Sequence, residues 1–262
     1  MNILVCIKQV PGTSKVEVDP VTGVLKRDGV DSKMNPYDLY ALETAFKISE
    51  DKGGEISVIT MGPPQAKEII REAYSMGVDK GVLLSDRKFA GADVLATSYT
   101  LSQGVESMGD FDLIICGKQT TDGDTAQVGP EIAEYLDIPH VANVRKIVEV
   151  KDKSIVVEMD MPNTIELVDI KLPALITVEK GIFEPRLPSY KKKVATKDRD
   201  IKVMSLSDFK DQSENNYGLN GSATQVERIF PPKVNDKREI WEGSSEGIAE
   251  KFESTLKELK FI

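Results

Sequence analysis

Residues 111–136 read FDLIICGKQTTDGDTAQVGPEIAEYL. The run LIIC at 113–116 is apolar without alternation and stops at Gly117, the pattern of a short strand buried on both faces. A polar turn follows, and EIAEYL then takes up helical character. Strand, turn and helix in that order make half of a βαβ unit, and the rest of the chain decides whether the unit recurs. Short apolar runs at residues 2–7, 56–60 and 81–84 likewise give way to turn chemistry and then to a longer segment with helical spacing. The alternation predicts an α/β fold around an open, mostly parallel sheet.

The helical segments carry their own punctuation. Pro36 opens one whose apolar positions Leu39, Leu42, Ala45, Phe46 and Ile48 share a face, and Gly53-Gly54 close it. Ala66, Ile69, Ile70, Ala73 and Met76 repeat the spacing after Gly62-Pro63, and residues 92–109 do so after Gly91. From Val144 the period changes. Residues 146–181, KIVEVKDKSIVVEMDMPNTIELVDIKLPALITVEKG, alternate around the turn signals Lys151-Asp152-Lys153 and Pro162-Asn163, which predicts an antiparallel meander returning to the sheet.

Composition shifts again after Leu187, to polar, proline-punctuated stretches too poor in apolar residues for a second core. Only residues 246–259 regain a helical pattern, through Ile248, Phe252, Leu256 and Leu259. Residues 1–187 are expected to form the α/β domain. Residues 188–262 are expected to form a long C-terminal arm that packs across another subunit, with Tyr217, Ile229, Phe230 and Trp241 as its anchors.

With 262 residues, 40% of them hydrophobic, the chain can bury a substantial core, and its formal net charge of -9 offers no basic face for nucleic acid or anionic lipid. No stretch reaches the roughly 18 consecutive apolar residues of a membrane span, and the amino-terminal run, interrupted by Lys8, reads as a first strand rather than a secretion signal. A cytoplasmic location is expected. Cys6 and Cys116 lie inside apolar runs, and His140 is the single histidine, so no metal site and no Ser-His-Asp set is expected.

In an open parallel sheet, ligands gather beyond the carboxyl ends of the strands. Four loops lie there, after Cys6, Thr60, Leu84 and Cys116. Asn35 stands before the helix that Pro36 opens, where an amide either caps the helix or reaches a ligand. Gly62 and the prolines beside it make a stiff turn. The loop after Cys116 has the richest chemistry: Gly117 and Gly123 permit close approach, Thr121, Thr125 and Gln127 can donate, and a helix begins nearby. Asp122 and Asp124 would repel a phosphate, so they are expected to cap, to bind ribose or to face solvent. On its residues alone, the loop fits either a nucleotide site or a heavily capped turn. Neither GxGxxG nor GxxxxGK[ST] occurs, which excludes an ordinary dinucleotide dehydrogenase and a P-loop NTPase.

Collinear stretches along nearly the whole chain carry a resemblance. They are MNILVCIKQVPG, DGVDSKMNPYDLYALETA, VITMGPPQAKEIIREAYSMGVDKGVLL, LIICGKQTTDGDTAQVGPEIAEYLDIPHV and LPALITVEKGIFEPRLPSYKKK. Together they resemble the beta subunit of electron transfer flavoprotein. The resemblance implies a Rossmann-like, adenine-nucleotide-hydrolase-like α/β domain. It also implies an alpha-subunit partner carrying its own FAD, and a nucleotide touching Cys6, Asn35, Pro36, Tyr37, Asp38, Met61, Gly117, Lys118, Gln119, Thr120, Thr121, Asp122, Gly123, Asp124, Thr125, Ala126, Gln127 and Val128. Members holding AMP commonly show a loop like DDDxNQTGQ followed by WPQ. This chain has DGDTAQVGP followed by IPHV, with Ala126 in place of the asparagine, and so resembles the branch that binds a second FAD and bifurcates electrons from NADH.

For that branch the resemblance implies NADH as donor. Ferredoxin or flavodoxin is one acceptor, and an acyl-CoA dehydrogenase, reached through the alpha-subunit FAD, is the other. Leu187, in FEPRLPSYKKK, matches the loop that docks the dehydrogenase, and no side chain is expected to act as acid or base. AMP in a non-bifurcating carrier is the alternative within the family. A lone nucleotide sensor of the universal-stress-protein type is the alternative outside it, and such sensors lack the long arm.

Overall fold

A computed structural model describes residues 1–12, 32–227 and 238–262 of the chain. Ile229 and Phe230, expected above as anchors of the arm, lie outside the described residues. In chain order the strands and helices begin with β1 (Asn2–Cys6), β2 (Gln9–Pro11), β3 (Ser32–Met34), α1 (Pro36–Lys52) and β4 (Glu55–Met61). α2 (Lys67–Met76), β5 (Lys80–Leu84), α3 (Val94–Met108), β6 (Leu113–Gly117) and α4 (Val128–Tyr135) follow. Next come β7 (His140–Val150), β8 (Ser154–Asp160), β9 (Ile165–Lys171) and β10 (Ala174–Val178). α5 (Tyr190–Ala195), β11 (Lys202–Met204), α6 (Gly218–Gly221) and α7 (Ser245–Glu258) complete the set.

A nine-stranded sheet has the order β11-β5-β4-β1-β6-β10-β7-β8-β9. Its members from β11 to β7 run parallel, and β8 and β9 are antiparallel additions. The parallel strands carry helices on both faces. Ile3, Val5 and Leu113 pack with Leu42 and Phe46 of α1 and Ile70 of α2, whereas Leu4, Ile59 and Ile114 pack with Leu101 of α3 and Ile132 of α4. Burial on both sides is why these strands read as unbroken apolar runs. Each fully buried leucine or isoleucine contributes about 1.5–3 kcal/mol.

Strand order fixes where a ligand can lie. From β1 the chain moves outward through β4 to β5, then returns to the other side of β1 with β6. The direction therefore reverses between β1 and β6, and the crevice beyond their carboxyl ends is the place such sheets leave open. The ends are level, because Cys6 pairs with Cys116 of β6 and with Ile59 of β4.

One local expectation is corrected, and two features go beyond the sequence reading. β10 is not part of the meander: it inserts between β6 and β7, parallel to both. Its sequence ALITV is buried throughout, so it belongs with the unbroken strands. The meander proper is β7-β8-β9. Between β1 and α1 the chain forms a small antiparallel pair, β2 with β3. Finally, the compact unit extends to Glu227, well past the change in composition after Leu187. β11 pairs with β5 at the sheet edge, and Ile201, Met204, Leu206, Phe209 and Tyr217 are buried. These few apolar residues enlarge the existing core instead of making a second one.

The described part of the second unit is 238–262. Ser244 caps α7 by accepting the Gly247 N–H at 3.2 Å. Within this unit the Trp241 ring stands edge-on to Phe252 at 6.5 Å, and the Lys251 ammonium lies 4.8 Å from the indole. No helix among the described residues is long and apolar enough to cross a membrane.

Candidate functional site at the carboxyl ends of β1, β4 and β6

The first turn of α1 lies against the end of β6, and Gly117 makes that possible. A Cβ at this position would fall 2.5 Å from Asp38 Oδ1 and 2.8 Å from Tyr37 Cβ. With only hydrogen there, the β1 and β6 loops and the start of α1 meet at one place.

A side-chain pair fastens them. The Asn35 amide donates to Asp38 Oδ1 at 2.8 Å and to the Gln119 carbonyl at 2.9 Å, and its oxygen accepts the Thr121 N–H at 3.2 Å. Asp38 Oδ2 accepts the Lys8 N–H at 2.7 Å. Asn35 therefore stands at the cap position of α1 without capping it by its side chain. Asn35 is 0% and Asp38 4% exposed. Burial pushes the Asp38 carboxyl up to about 7, against the pull of the Asn35 amide and the Lys8 N–H.

Across the crevice, the Lys8 ammonium contacts both oxygens of Asp122, at 2.8 and 2.9 Å. Burial raises the Asp122 carboxyl, but Lys8 and the Thr120 hydroxyl outweigh it and hold the group below its usual range. Lys118 is paired with Glu179 at 2.7 Å. Asp124 accepts from the Gln119 amide. Under the turn, the Cys116 thiol is pushed well up by its contact with Cys6 and by burial, which makes it a poor nucleophile.

The turn itself has a shape that favours anions. Asp124 and Ala126 have positive φ, 55° and 56°. Gln127 returns to the right-handed region, and α4 starts at Val128. A left-handed residue followed by a right-handed one turns successive N–H groups toward a common point, here where the helix dipole adds its positive end. Pro130 falls in the first turn of α4, where an N–H has no intrahelical partner to lose.

Residues 22–208 match the electron transfer flavoprotein domain family. The chain is 46% identical over 245 residues to the electron transfer flavoprotein subunit beta of Thermoanaerobacterium thermosaccharolyticum, covering 93% of each. It is 43% identical, over the full length of both chains, to the electron transfer flavoprotein subunit beta of Clostridium acetobutylicum. It is 42% identical, again over the full length of both, to the caffeyl-CoA reductase-Etf complex subunit CarD of Acetobacterium woodii. The chain belongs to the electron transfer flavoprotein family, as a beta subunit. Its work is electron transfer in a flavin-associated assembly, and its partner is an alpha subunit.

The beta subunit brings the expected residues together unevenly. Cys6, Met61, the start of α1 and residues 117–128 converge on the crevice, and residues 121–125 and Gln127 are exposed on its rim. Asn35 and Asp38 lie beneath it. Leu187 belongs elsewhere. It is 87% exposed, and its neighbour Arg186 is bound further along α1, with Nε and Nη2 each 2.8 Å from the buried Glu43 carboxylate and Nη2 2.8 Å from Glu50. The Arg186 N–H also reaches Glu43 at 3.0 Å, and the guanidinium lies 4.3 Å from the Phe46 ring. On the other side of Leu187, the Ser189 N–H bonds to the Ser75 carbonyl at 2.9 Å and the Lys192 ammonium to the Met76 carbonyl at 3.1 Å.

Lys8, Glu43 and Arg186 were not picked out from sequence. Glu43 had a usable signal: it is a charge on the apolar face that Leu42 and Phe46 define, and such a charge needs a partner. Lys8 had none, because its acceptor Asp122 is 114 residues away.

Proposed function

We propose that the crevice holds a FAD and that the heterodimer oxidises NADH there. The electron pair is divided between a ferredoxin or flavodoxin and, through a second FAD in the alpha subunit, an acyl-CoA dehydrogenase or similar flavin dehydrogenase. The observation that carries this reading is the turn at 124–128, where left-handed Asp124 and Ala126 lead into the amino end of α4 at the point where the strand order reverses.

The residues present fit a dinucleotide. Ala126, Gln127 and Val128 offer backbone donors to a diphosphate. Thr121, Thr125 and Gln127 offer side-chain donors on the exposed rim, and Lys8 neutralises Asp122, which would otherwise repel phosphate. Cys6, Pro36, Tyr37, Met61, Gly117, Lys118, Gln119, Thr120, Gly123 and Asp124 line or frame the same place. Bound FAD would supply the redox chemistry, and the chain supplies position and electrostatics with no acid or base of its own. The TAQVGP run and Ala126 favour FAD over AMP. The name of the Acetobacterium relative, which joins an Etf to a CoA-ester reductase, agrees with an acyl-CoA-type partner.

Leu187 is the proposed anchor for that dehydrogenase, since an exposed leucine between two fastened points suits an apolar socket. Residues 238–262 are proposed to wrap the alpha subunit, and the assembly to work in the cytoplasm. Extraction of the purified heterodimer and a count of its nucleotides tests the central claim. Two FAD and no AMP are expected; one FAD with one AMP makes the chain a simple carrier subunit and removes bifurcation.

A further inference from the structure

The side chains of Asn35 and Asp38 are buried, and every polar atom they carry is already bonded to the protein. Both amide hydrogens of Asn35 are engaged, by Asp38 and by the Gln119 carbonyl, and its oxygen already accepts from Thr121. Asp38 divides its two oxygens between Asn35 and the Lys8 N–H. Their contacts go to the backbones that form the two walls of the crevice: Lys8 on the β1 side, Gln119 and Thr121 on the β6 side. Gly117 leaves the space that lets the carboxylate sit between them.

We propose that the side chains of Asn35 and Asp38 are positioning groups that set the width of the nucleotide crevice by fastening its two walls together. The inference rests on the nucleotide-binding reading above and specifies how the site is kept open to the right degree. Chemistry explains why an acid is needed. Asp38 faces two donors, the Lys8 N–H and the Asn35 amide, and only an ionised carboxylate accepts from both without offering a donor of its own. An asparagine in its place has one acceptor oxygen and must turn an NH₂ toward the other donor, so one wall comes loose. Protonation of Asp38 does much the same. The other ionisable groups acting on it are the Lys8 ammonium, the Asp122 carboxylate and the Cys116 thiol.

The sign of the effect separates positioning from plain electrostatics. If Asp38 acted only as a buried negative charge near phosphate, neutralising it would tighten nucleotide binding. As a positioning residue, its neutralisation weakens binding. The test is calorimetric titration of the heterodimer, stripped of its readily dissociable nucleotide, with FAD and separately with AMP, between pH 5.5 and 8.5. One unsatisfied donor in the wall implies that Asp38→Asn binds about tenfold or more weakly at pH 8, with an unchanged far-ultraviolet spectrum. Its affinity should then vary less with pH than the wild type's, which should fall as the pH drops below about 7. Asn35→Ala, which removes the bonds to the Gln119 carbonyl and the Thr121 N–H from a buried position, should reproduce the loss and decides the matter if Asp38→Asn does not fold. Equal or tighter binding by the variant that folds overturns the inference. Wild type binding neither nucleotide overturns the nucleotide reading and this inference with it.

Discussion

Replacing Arg186 with alanine tests the most heavily bonded ion pair found among the described residues. Glu43 is 2% exposed and accepts three hydrogen bonds from Arg186, at 2.8, 2.8 and 3.0 Å. Without the guanidinium, a carboxylate stays buried on the apolar face of α1 with only Lys47, 3.9 Å away, to offset it. Stranding one member of a buried pair costs about 3–5 kcal/mol. The contact with Glu50, which is exposed, adds little. For a chain of this size each kcal/mol lowers the unfolding temperature by about 2–4 °C, so a fall of roughly 6–20 °C is expected.

Circular dichroism during heating measures that fall, and pH supplies a second check with a definite sign. In the wild type, burial pushes the Glu43 carboxyl up, but Arg186 outweighs it and holds the group below its usual value. That contribution is present above the unfolded pKa and is lost as the pH falls through the folded one. In Arg186→Ala burial is opposed only by Lys47, so the Glu43 carboxyl moves up and the variant loses less stability than the wild type as the pH drops. The difference between the two proteins must therefore shrink in acid. The double variant Glu43→Leu/Arg186→Leu, with no charge left to bury, should recover most of the loss. A fall of less than about 2 °C for Arg186→Ala, or an equal fall for Glu50→Gln alone, would refute the reasoning, because it would mean that the pair behaves as an exposed one.

Other expected outcomes follow from single observations. Leu187→Ala should impair electron delivery to the dehydrogenase while dye-linked NADH oxidation and the unfolding temperature stay unchanged, because the side chain is 87% exposed and supports nothing beneath it. Unaltered delivery in a coupled assay removes its docking role. Tyr217→Ala should destabilise the chain by about 3–5 kcal/mol in denaturant titration, since the ring is 1% exposed among Phe89, Tyr99 and Phe209 and its hydroxyl bonds to the Asp211 carbonyl at 2.6 Å. A change under about 1 kcal/mol would mean that residues 205–222 do not share the core. Ala126→Gly should raise stability by up to about 1 kcal/mol, because alanine is strained at a positive φ. Loss of stability there would place Ala126 in an ordinary conformation.

The parallel sheet was legible in sequence because burial on both faces leaves unbroken apolar runs, and its helices were legible from their apolar spacing and from punctuation such as Pro36, Gly53 and Gly91. Legibility failed where the signal was short or shared. β10 was merged with the meander because an alternating stretch precedes it directly, and β11 has only Lys202–Met204, too few residues to show a period. The crevice loops could be named from the strand ends, but their wiring could not. Asn35 occupies a cap position, and nothing nearby in the chain says that its amide reaches Gln119 instead. That bond exists because Gly117 lets α1 approach β6, a contact between residues far apart in sequence.

Helix α1 gives these observations a common consequence. It starts at the pair that fastens the crevice walls, and five residues later it carries the carboxylate that holds Arg186, a separation of about 7.5 Å along the helix axis. Both the proposed nucleotide site and the proposed docking leucine are therefore referenced to one rigid element, not to the loops that present them. A site built on a helix keeps its geometry better than one built on loops. Electron transfer depends on the distance between donor and acceptor, and so needs that constancy. Hence α1 carries two buried carboxylates, Asp38 and Glu43, at positions that packing alone would have filled with apolar side chains.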